Sequence, residues 1–181
     1  MALNSSETRP RNSGQYRSDR EWSDLYIPTI KKLVGPHLLD VAPMEVDNLQ
    51  ATDLIVFTVK DKKIAARIRE ANKYLPKYAE QFTIRSRRDN GMMTELEKIH
   101  RGFGSWMFYG FGHDDRTIYP WYLIDLDSFR YHMRRESWYV NGIKSEEKPN
   151  GDGTHFRAFW IYSFPDDPPL LVASSNDSID F

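Results

Sequence analysis

The chain has 181 residues, a formal net charge of −1, 40% hydrophobic and 14% aromatic residues, and no cysteine. That is enough apolar material for one domain with a real core, and it excludes disulfide scaffolds and thiolate metal centres. No apolar run approaches the roughly 20 residues of a membrane-spanning helix, and the opening MALNSSETRPRNSGQYRSDRE lacks the apolar stretch of a signal peptide, so a cytoplasmic protein is expected.

The small net charge hides an asymmetry. From Lys60 to Arg101 there are twelve Lys and Arg against six Asp and Glu, whereas from Pro149 to Phe181 there is one Arg against five Asp. A basic middle suggests an anionic partner, and an acidic end suggests solvation or a second contact. An unevenly charged, solvated surface has the same signature.

In chain order, residues 1–20 are rich in Ser, Asn, Arg and Gly without periodicity and read as a flexible arm. Trp22, Leu25, Tyr26, Ile30, Leu33 and Val34 then recur at helical spacing. Ser23 or Asp24 is the expected cap, Pro28 sits in the first turn, and Gly35-Pro36 is the stop. TDLIVFTVKDKKIAARIRE, residues 52–70, reads as two short strands joined by a charged turn. KYLPKYAEQ reads as a link to the strand FTIRSRR, and Asp89-Asn90-Gly91 as a turn. Thr94-Glu95-Leu96-Glu97 is a capping-box pattern opening a helix that runs to Gly102. SWMFYGFG is apolar on both alternating faces, as a strand buried on both sides would be. PWYLIDL is a strand, DSFRYHMRR a short helix capped by Asp127 or Ser128, and HFRAFWIYSF a long strand. The expected fold is a single α/β (α+β) domain over 21–172, a central mixed β-sheet flanked by helices, with an acidic tail at 173–181.

Within residues 52–70 the register decides which side chains are neighbours. A two-residue loop at Asp61-Lys62 places Ile55, Phe57 and Val59 opposite Ile68, Ala66 and Ile64, with Arg67 and Arg69 on the other face. A loop of odd length puts both arginines on the face of Asp53. The ordinary reading is that Asp53 caps a strand or pairs with an arginine. The functional reading is that Asp53 holds a metal while the arginines hold phosphate. FTIRSRRDNG offers the densest anion-binding candidate, with Arg85, Arg87 and Arg88 within four residues. His113-Asp114-Asp115 reads as a turn, and the aromatic group Trp106, Phe108, Tyr109, Trp121 and Tyr122 as core. No zinc spacing, nucleophile elbow or phosphate-binding Gly-Lys loop is present.

The order of helix, strand opening with Asp, second strand, helix and further strand over residues 22–112 resembles the core of the restriction-endonuclease-like superfamily, the PD-(D/E)xK nucleases. ATDLIVF resembles the strand that carries the metal-binding Asp of that family. The resemblance implies Asp53 as a metal ligand and Mg²⁺-dependent phosphodiester cleavage. Where the family has acid-x-Lys, this chain has Ala65-Ala66-Arg67. Glu95 and Lys98, three apart on the following helix, would then supply the second ligand and the cation, with Glu45 or Asp47 as a further ligand. The expected set is thus Asp53, Glu95 and Lys98 for catalysis, Asp53 and Glu95 for the metal, and Arg67, Arg69, Arg85, Arg87 and Arg88 for nucleic acid. The wider chain also resembles phage and prophage proteins with TDL…IAARIR…FTIRSRR…TELEKI patterns. That likeness implies no particular activity but would place the protein in a host cytoplasm. The expected function is a DNA-processing nuclease or a nuclease-like nucleic-acid binder. The competing expectation is a non-catalytic accessory or virion protein that acts through a protein partner.

Overall fold

The computed structural model describes residues 21–41, 54–56, 62–136, 142–150 and 152–176. The arm at 1–20, Glu45, Asp47, Asp53 and the last residues of the tail, 177–181, lie outside these. In order, the elements are α1 (Ile27–Val34), β1 (Leu39–Val41), β2 (Leu54–Val56), β3 (Ile64–Glu70), α2 (Ala71–Tyr78), β4 (Gln81–Arg88), α3 (Glu95–His100), β5 (Trp106–Gly112), β6 (Ile118–Asp125), α4 (Leu126–Arg134), β7 (Ser145–Pro149), β8 (Thr154–Trp160) and β9 (Leu171–Ser174). The class is mixed α and β, but the single central sheet is corrected. A four-stranded mixed sheet, β3-β5-β6-β9, is joined by a three-stranded antiparallel sheet, β4-β8-β7, and β1 pairs with β2.

The reason lies in the strand patterns. All of β5 is buried, so it needs cover on both faces and occupies the interior of the larger sheet. One face of that sheet, with Ile68, Trp106, Phe108, Trp121 and Leu123, packs on Tyr26, Ile30 and Val34 of the α1 region. The other face, with Met107, Tyr109, Phe111, Tyr122 and Ile124, packs on Phe82, Ile84 and Phe159 of the second sheet and Phe129 of α4. In β4 only one side is apolar, Phe82 and Ile84, and its alternate positions Thr83 and Arg85 stay half-buried. Such a strand suits a sheet covered on one side.

Among the described residues the two strands of 52–70 do not pair with each other. Within the described residues β2 pairs with β1, and β3 runs parallel to β5 from Ile64↔Trp106 to Glu70↔Gly112. Asp61-Lys62 has neither Gly nor Asn for the positive φ of a two-residue turn. The seven-residue parallel pairing with a buried strand outweighs local closure. The link KYLPKYAEQ is also corrected. Ala71, Tyr74, Leu75 and Tyr78 recur at helical spacing and form α2 despite Pro76 inside it. Neither Ser23 nor Asp24 caps α1, whose N-cap is Tyr26; α4 is capped by Asp125, which accepts the backbone N–H groups of Asp127 and Ser128. The capping box of Thr94 and Glu97 forms, and α3 ends at His100. No helix among the described residues is long and apolar enough to cross a membrane.

Candidate nucleic-acid interface on the second sheet

β3 lies at one edge of the larger sheet, and β4 at one edge of the smaller. Arg67 and Arg69 alternate with Ile68, so while Ile68 enters the core beneath α1, both guanidiniums point to the opposite side, toward β4. Arg67 donates to the Thr83 carbonyl at 3.2 Å and forms an ion pair with Glu95. The backbone N–H of Arg85 lies 3.4 Å from the same Glu95 carboxylate. Thr83 and Arg85 are two apart, so their outward backbone groups share one strand edge. The Arg67–Glu95 pair therefore supplies one donor and one acceptor where a neighbouring strand would. Burial pushes the Arg67 guanidinium below its usual range, and the Glu95 carboxylate opposes that shift.

Arg69 donates to the Thr83 hydroxyl at 2.7 Å and lies over two rings, Phe156 at 5.3 Å and Tyr74 at 5.5 Å from the centroids. Arg85 lies 5.8 Å from the Phe156 centroid. The registers pair Arg85 with Phe156 and Phe156 with Lys148, so a cation, a ring and a second cation stand side by side across β4, β8 and β7. Lys148 also lies 5.1 Å from the Tyr78 ring, one helical turn beyond Tyr74. Four residues along β8 from Phe156, on the same face, Trp160 carries Lys144 at 4.5 Å; the Lys144 ammonium reaches the Tyr162 hydroxyl at 3.0 Å. Tyr162 is 61% exposed. A carboxylate shares this face: Glu146, paired with Ala158 in register, bridges to Lys148 at 3.0 Å. The alternation of cations and rings spans roughly 13 Å of strand.

At the far end of β4 the register slips between Arg85 and Arg87. Arg87 projects into solvent with a long, 3.7 Å contact to Asp89. Arg88 Nε and His155 Nδ1 are buried there without a hydrogen-bond partner among the described residues.

The structure thus brings Arg67, Arg69, Arg85 and Glu95 into one cluster and places Arg87 and Arg88 at its margin. Lys98 is exposed on α3, and its ammonium makes no ion pair among the described residues. The proposed partner of Glu95 in a metal site, Asp53, lies outside the described residues, and no group of three His, Asp or Glu poised for a metal occurs among them. Phe156, Lys148, Tyr74, Tyr78 and Thr83 were not legible as site residues. The alternation of Phe156, Ala158 and Trp160 carried a signal for one strand face, but their partners depend on the β7–β8 register, which the sequence leaves open.

No family model matches the chain, and no curated protein or solved structure matches it significantly, so the likeness to restriction-endonuclease-like nucleases has no support from relatives.

Proposed function

We propose that the protein binds single-stranded nucleic acid, without cutting it, on the face of the second sheet that carries Arg85, Phe156 and Lys148. The cross-strand row of these three residues carries the reading. Guanidinium and ammonium groups contact phosphate, and aromatic rings interleaved with them give bases a stacking surface that is tolerant of sequence. Trp160, Lys144 and Tyr162 repeat the pairing further along, and Arg87 extends it past the β4 bulge. The engagement of Glu95 by Arg67 supports binding over cleavage, because a Mg²⁺ site shared with Asp53 would have to take Glu95 from that guanidinium.

The test is fluorescence anisotropy with a labelled single-stranded oligonucleotide. Phe156→Leu keeps apolar volume but loses the ring, and is expected to weaken binding about tenfold, the range of one stacked base. Glu146→Gln removes the acid that bridges to Lys148 and is expected to tighten binding. Unchanged affinity in both variants would refute the assignment of this face. Cleavage of the oligonucleotide in Mg²⁺ that disappears in Glu95→Gln would refute the non-catalytic half.

A further inference from the structure

Resting on the single-strand reading above, we propose that Arg88, beside Arg85, holds the terminal phosphate of the bound strand, so that the protein prefers single strands with a phosphorylated end. The β4 bulge makes the site. Arg85 pairs with Phe156 and Arg88 with Thr154, and Thr154 and Phe156, two apart on β8, share one face. Residues three apart on a regular strand face opposite ways. The extra residue of the bulge brings Arg88 round to the side of Arg85, roughly 7 Å further along the row.

Arg88 has a packed stem and an open fork. Its Nε is buried without a hydrogen-bond partner, whereas its two terminal nitrogens, neither buried nor bonded among the described residues, reach the surface. The carboxylates at this end are turned to other groups. Asp152 accepts the Thr154 hydroxyl at 2.6 Å and the Thr154 N–H at 3.1 Å. Asp89 contacts Arg87 at 3.7 Å, and Glu147 accepts from the Ser86 hydroxyl at 2.6 Å. Among the described residues none of these acids lies within ion-pair distance of Arg88.

The end of the sheet favours a terminal phosphate over an internal one. Arg88↔Thr154 is the last β4–β8 pair. Beyond it β4 leaves through the Asp89-Asn90 turn, and the β7–β8 connection returns through Asp152 and Gly153. The two turns touch: a Cβ on Gly153 would lie 3.2 Å from an Asp89 carboxylate oxygen. A strand that continued past Arg88 would bring its next phosphate against exposed Asp89 and Asp152, acid against acid. A strand that stops at Arg88 avoids both. Its terminal phosphate carries about −1.5 to −2 charges at neutral pH and offers three oxygens to the fork of Arg88 and to Arg85.

The experiment is fluorescence anisotropy with three internally labelled oligonucleotides of one sequence, carrying a 5′-phosphate, a 3′-phosphate or neither. One phosphorylated end is expected to bind about tenfold tighter than the strand with neither, the range of a charge-assisted hydrogen bond, and which end it is gives the polarity on the face. Arg88→Gln is expected to erase that ratio. Arg88→Lys, which keeps the charge but not the fork, is expected to reduce it. Equal affinity for all three strands would overturn the inference and leave the single-strand reading standing. A ratio that survives Arg88→Gln would take the phosphate away from Arg88 and overturn it as well. Failure of all three strands to bind would overturn the single-strand reading itself, and the terminal-phosphate site with it.

Discussion

Arg67 and Glu95 do for β4 what a missing strand would do, and both are mostly desolvated, with 20% and 27% of their side-chain surface exposed. Removing one partner strands the other. Glu95→Ala is expected to cost about 2–3 kcal/mol in urea unfolding, below the roughly 3–5 of a fully buried pair. A change within about 0.5 kcal/mol would show that the pair does not form. With Glu95 so held, Mn²⁺ is expected to leave the melting temperature of the wild type unmoved; a rise abolished by Glu95→Gln would return Glu95 to a metal site. On the opposite side of the larger sheet, Gly112 sits under the Tyr26 ring. A Cβ there would lie 2.6 Å from it, so Gly112→Ala is expected to destabilise by about 1–3 kcal/mol through overpacking. Unaltered stability would mean that the α1 region docks elsewhere.

Local chemistry governs α3. Thr94 accepts the Glu97 N–H at 3.2 Å, and Glu97 accepts the Thr94 N–H at 2.6 Å. Thr94→Ala is expected to cost about 1 kcal/mol. The Thr94 backbone N–H holds the Glu97 carboxyl below its usual value of 4.5, so this stabilisation is complete above that pH and is lost as pH falls through the folded-state value. The stability gap between wild type and Glu97→Ala should therefore narrow in acid; a gap independent of pH would rule out the reciprocal half of the box. This element was legible because four adjacent residues specify it. So was β5, whose apolar residues on both faces dictate a doubly covered strand. The hairpin at 52–70 was misread because a parallel partner forty residues away, β5, is invisible to local pattern. The α2 helix was missed because Pro76 masked a spacing that a short helix tolerates.

At the scale of the molecule, two sheets divide the labour. The larger packs a hydrophobic core on each face, and the smaller keeps a face of half-buried cations and rings. The arginines of that face were visible in the sequence as a basic run; their alignment with Phe156 and Lys148 required the register of three strands. The low net charge gives no hint of it, because acidic residues elsewhere cancel the excess. The salt dependence of single-strand binding tests the claim that this face binds nucleic acid. For wild type, log affinity should fall linearly with log salt, with a slope of about −0.7 per phosphate contacted. Arg85→Ala with Lys148→Ala should remove about two contacts, making the slope shallower by about 1.4. A wild type that fails to bind at low salt, or a double variant with an unchanged slope, would contradict the assignment.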